Sequence, residues 1–137
     1  MWFPHFERAL KPLLDKKINL IWHCDGNLSQ MVPRLLDIGL VGFQGFQYED
    51  GMDYAKICKM KTREGNDLFI IAGVSVTTTL PFSTPDDIRK EMRFLVENGP
   101  KKGLVLGCTS AITPGVALEN IITLEEGFKY YREHGRS

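Results

Sequence analysis

Seventeen basic and seventeen acidic side chains in 137 residues leave no formal net charge, so neither a nucleic-acid backbone nor an anionic membrane surface is favoured as a partner. The 43% hydrophobic content suits one cored domain, and no stretch reaches the roughly 18 consecutive apolar residues of a membrane span. Three cysteines without a CxxC pair, and an opening segment MWFPHFERALKPLLDKK without a leader-type apolar block, argue against a disulfide framework and point to a reducing cytoplasm.

In chain order, Phe3, Phe6, Leu10 and Leu13 or Leu14 recur at helical spacing, predicting an amphipathic helix over Trp2 to Asp15 that Pro12 kinks or shortens. Ile18, Leu20, Ile21 and Trp22 then read as a buried strand that stops abruptly at the polar run His23-Cys24-Asp25-Gly26-Asn27. Asn27 or Ser29 can cap a helix through Met31, Leu35 and Leu36, with Pro33 in its first turn and Gly39 at its left-handed end. Val41 to Tyr48 is a second strand whose Phe43, Phe46 and Tyr48 alternate as core or wall residues do.

Asp53 to Arg63 predicts a helix with Tyr54, Ile57, Cys58 and Met60 inward, and Leu68 to Val74 a third buried strand. Thr84-Pro85-Asp86-Asp87 is a helix start with cap, proline and acidic third position, and that helix runs to Asn98-Gly99. Gly103 to Gly107 is a fourth strand, and Leu118 to His134 a last helix. A leading helix followed by four strand-helix units predicts an α/β fold with parallel strands, either half of an eight-unit barrel or a small doubly wound sheet.

In such folds chemistry sits at the carboxyl ends of the strands. His23 and Asp25 alternate to one side of the first strand, with Trp22 and Cys24 to the other. Gln47 and Ser75 close the second and third strands, within reach of a pocket. No G-x-G-x-x-G, P-loop, G-x-S-x-G or H-E-x-x-H motif occurs, which sets aside nucleotide, hydrolase and zincin readings and leaves a small-molecule ligand as the expected partner.

Taken together, HCDGN, AGVSVTTTLPFSTPDDIR, GLVLG and PGVALEN make the chain resemble the carboxyl-terminal half of the uroporphyrinogen decarboxylase superfamily, which includes corrinoid-dependent methyltransferases. The resemblance covers about Pro4 to Gly135 and implies a (βα)4 half of a TIM barrel with its ligand site at the strand ends. It implies His23 and Asp25 as the central polar pair, and Asn27, Gln47, Ser75 and Ser110 as ligand contacts. Asn27 and the later Glu119-Asn120 pair can equally serve as local ties. In the methyltransferase branch the motif is H-x-C, and with a later cysteine it holds zinc. Here Asp25 stands at the motif's cysteine and Cys108 near the later one, so a His23, Asp25, Cys108 zinc site and a metal-free His23-Asp25 pair are the two readings. A half barrel is expected to be completed by a second copy or a separate amino-terminal half.

Overall fold

The computed structural model describes residues 2–136, with the backbone alone at Tyr48. The leading helix, α1 (Phe3–Asp15), continues through Pro12. Trp2 stacks on Phe6 at 4.4 Å, and both rings meet Trp22 of the first strand edge-on at 5.5 and 5.0 Å. This aromatic knot holds α1 against the helix-covered side of the sheet.

The strands are shorter than the apolar runs suggest. β1 covers Ile21–His23, because Ile18 still donates its N–H to Leu13 of the α1 terminus. The predicted capping by Asn27 or Ser29 is not realised: α2 (Val32–Ile38) follows Met31, and it ends at Gly39 with φ +117°. β2 spans Gly42–Gln44 and breaks at Gly45, whose φ of +92° suits a residue without Cβ; a 3-10 turn, Tyr48–Asp50, follows. Phe43 and Phe46 are buried as expected, while the Tyr48 side chain lies outside the described residues.

Helix α3 (Tyr54–Cys58) is capped by the Asp53 carboxylate, which accepts from the Lys56 N–H. It stops well short of Arg63 because Thr62 to Asn66 folds into a tight turn, with a Thr62 N–H to Asn66 carbonyl bond and Gly65 at φ +83°. β3 (Phe69–Val74) leads into a helical turn the sequence reading lacks, α4 (Thr79–Phe82). α5 (Pro85–Asn98) begins with the predicted capping box: Thr84 Oγ1 accepts from the Asp87 N–H, and the Asp87 carboxylate accepts from the Thr84 N–H. β4 (Leu104–Cys108) and α6 (Leu118–His134) complete the chain.

The four strands form one parallel sheet in the order β1-β2-β3-β4, so β1 and β4 are its edges and the sheet is not closed. Residues in register share a face. Phe43, Ile70, Ala72 and Val74 face the helices and are buried among Leu35, Ile88, Met92 and Leu95. On the opposite face Ile21, Phe69 and Val105 are 40%, 38% and 43% exposed. Parallel sheets are normally covered on both faces, and a four-stranded α/β sheet covered on one is the arrangement of half a TIM barrel.

Candidate ligand site at the strand ends

The loops that leave all four strands contribute to one cleft of about 590 Å³. Asp25 comes from the loop after β1, Gln47 from that after β2, Val76 and Thr77 from that after β3, and Ser110, Ala111 and Thr113 to Gly115 from that after β4, with Pro81 and Phe82 of α4 on the rim. Its size is that of an ordinary small-molecule pocket. Another cavity, about 610 Å³, lies between α5 and α6 over Met92 and Gly127, beside Arg93 and Tyr130. No strand end reaches that one, so the first is the candidate site.

His23 ends β1, in register with Gln44 and opposite in direction to Trp22. It is therefore on the open face of the sheet, exposed, with Nδ1 beside the space a Cβ on Gly45 would occupy. Asp25 is exposed and lines the cleft. Among the described residues no hydrogen bond joins His23 to Asp25. Cys24 is half-buried and its Sγ donates to the Asp25 carbonyl, 3.2 Å away. Gln47 lines the cleft while its Oε1 accepts from the Gly26 N–H, tying the β1 loop to the β2 loop.

Asn27 and Ser75 serve the framework. Asn27 Nδ2 donates to the Asp50 carbonyl at 2.8 Å and its Oδ1 accepts from the Ser29 N–H at 3.0 Å, so both polar groups are engaged and the residue is not in the cleft wall. Ser75 is buried, and its Oγ lies 3.0 Å from Glu49 Oε1 while receiving the Thr78 N–H and hydroxyl. Asn120, expected to tie the last loop locally, instead donates to the Leu80 and Ser83 carbonyls, both at 2.9 Å, and so fastens α6 to α4.

The zinc trio is not assembled. Cys108 is in register with Val74, on the helix-covered face and opposite to the side His23 takes. Among the described residues no three His, Cys, Asp or Glu side chains are grouped to hold a metal. With a carboxylate in place of the motif's thiolate as well, these residues do not fit zinc, and no step is assigned to one.

Two carboxylates beside the rim were not legible as site residues. Glu49, on the turn after β2, accepts from the Ser75 and Thr77 hydroxyls. Desolvation alone would raise its pKa; the hydrogen bonds from Thr77, its own backbone and Ser75 outweigh it and hold the carboxylate below its usual range. Glu91, on α5, accepts from the Ser75 N–H at 3.0 Å. Burial pushes its pKa up, opposed by hydrogen bonds from Thr79 and Ser75 and reinforced by Glu49. Cys108 is likewise pushed up by burial, then by Glu91. The run Thr77-Thr78-Thr79 just past an apolar strand was the available signal: consecutive hydroxyls there have to bond something.

No protein-family model matches the chain, and no curated protein does. Among solved structures it is similar to a methyltransferase from Methanosarcina mazei, at 21% identity and a TM-score of 0.60, over 84% of this chain and 32% of that one. At that identity the likeness carries the fold alone. The chain spans about a third of that structure's length. Among the described residues no helix is long and apolar enough to cross a membrane.

Proposed function

We propose that this chain is a half barrel of the uroporphyrinogen decarboxylase superfamily, with a strand-end site belonging to the methyl-transfer branch rather than to the decarboxylases. The observation that carries this reading is the single cleft lined from four consecutive strand-end loops by Asp25, Gln47, Thr77 and Ser110. Its described lining has one carboxylate and no cationic side chain. A polycarboxylate needs paired cations to offset its charge, and this half supplies none to the cleft, whereas a neutral or cationic methylated molecule needs none. The methyltransferase fold relative agrees with that choice. Asp25 meets the ligand from the cleft wall, and His23, which is not part of that wall, approaches it from the open face of the sheet as the second acid-base group.

The uncovered face and the free edges of β1 and β4 are completed by another four-stranded half, supplied by a second copy or by an amino-terminal half. Native mass spectrometry reads this as a species at or above twice the 15.6 kDa chain mass. The ligand test is an absorbance titration with hydroxocobalamin and, separately, uroporphyrin. A corrinoid shift weakened by Asp25→Asn, with uroporphyrin unchanged, supports the reading. No corrinoid shift, or preference for uroporphyrin, overturns it.

A further inference from the structure

Ser75, at the end of β3, is held from two elements. Glu49 takes its hydroxyl, Oγ to Oε1 3.0 Å, and Glu91 takes its backbone N–H, N to Oε1 3.0 Å. The same Ser75 Oγ receives the Thr77 and Thr78 N–H groups at 3.3 and 3.1 Å. The segment from Ser75 to Thr78 is thereby shaped around one oxygen, and its Thr77 hydroxyl is the second donor to Glu49.

Glu91 stands behind this segment on the second turn of α5. A Thr79 hydroxyl also bonds it, yet its Oε2 is buried with no hydrogen-bond partner among the described residues. The titratable groups that face it are Glu49, across the segment, and Cys108 of β4. A buried carboxyl oxygen left bare is costly and calls for an explanation. The one its neighbours supply is the grip of Oε1 on Ser75.

We propose that Glu91 is a positioning residue for the rim: by holding the Ser75 N–H it fixes the hydroxyl-bearing segment that presents the Glu49 carboxylate beside the cleft. This deepens the strand-end ligand reading, and rests on it only for the use made of Glu49. Removing the grip lets the segment relax, and Glu49 loses the hydrogen bonds that favour its charged form.

The test uses no ligand, so its failure is distinct from failure of the functional reading. Carboxyl carbon NMR follows the titration of Glu49, and amide hydrogen exchange follows residues 75 to 78, in the parent chain, Glu91→Gln and Glu91→Ala. In E91A the Glu49 midpoint rises and the segment's amides exchange faster. E91Q, whose amide oxygen still accepts from Ser75, restores both. An unchanged Glu49 midpoint in folded E91A, or E91Q no nearer the parent than E91A, overturns the proposal. If E91A does not fold, Glu91→Leu, which keeps most of the side-chain volume but has no acceptor for the Ser75 N–H, has to move Glu49 the same way; no movement overturns it equally.

Discussion

Asn120 joins the last helix to the cleft. It sits in the first turn of α6, 2% exposed, and spends both amide hydrogens on the Leu80 and Ser83 carbonyls of the segment that carries Pro81 and Phe82 to the rim. Asn120→Ala deletes one buried and one half-buried hydrogen bond, each worth a net of about 0.5–1.5 kcal/mol, so the expected loss is roughly 1–3 kcal/mol. The Oδ1 atom, buried without a partner, leaves as well and keeps the figure inside that range. With a urea slope of about 1–3 kcal/mol per molar, the midpoint falls by on the order of 1 M at unchanged slope. Asn120→Asp is the sharper variant. At neutral pH it turns a carboxylate toward two carbonyl oxygens, so it is less stable than N120A. Lowering the pH protonates it and returns a donor, so the gap closes. A parent-like midpoint for N120A, or N120D at least as stable as N120A at pH 7, refutes the reasoning.

Three further outcomes follow from local geometry. A Cβ on Gly73 falls on the Cys108 carbonyl carbon and the Thr109 nitrogen, backbone atoms that cannot yield, whereas one on its register partner Gly107 meets nothing nearer than 3.9 Å. Thermal melts should therefore give a loss of roughly 3 kcal/mol for Gly73→Ala and under about 1 kcal/mol for Gly107→Ala; equal melts contradict the register. Thr84→Ala should cost about 1 kcal/mol, the usual worth of a cap. The Thr84 hydroxyl, then Lys90, pull the Asp87 carboxyl from 3.8 down to about 2, so its contribution is whole above the ordinary value and is lost as pH falls through about 2. Acid unfolding should be less steep over that window in Asp87→Asn, and an unchanged profile counts against the capping box. Burial pushes the Cys58 thiol up to about 11, so iodoacetamide at pH 8 should leave it unmodified until unfolding, as read by peptide mass spectrometry; prompt labelling of folded protein contradicts its burial.

The sequence carried the fold well wherever period and punctuation agreed. Thr84-Pro85 and Gly39 marked helix boundaries because caps and left-handed turns are local chemistry. The strands were overdrawn at Ile18 and Tyr48, since an apolar run records burial and β1 and β2 occupy only the paired middle of theirs. Helix α3 was overdrawn because Thr62 to Asn66 closes on itself, a competition that periodicity does not weigh. Alternation put His23 opposite Trp22, as found. It could not decide Cys108, whose direction depends on pairing with Val74, a partner 34 residues away by number. Glu49 and Glu91 were invisible for the same reason: they are brought together only by Ser75, from loops and helices distant in the chain.

The proposed ligand site lies at the carboxyl ends of the four strands. Amide shift mapping by NMR during titration with methylcobalamin tests it most directly. Perturbations should gather at Asp25, Gln47, Thr77 and Ser110. Perturbations confined to the groove beside Arg93 and Tyr130, between α5 and α6, would contradict it.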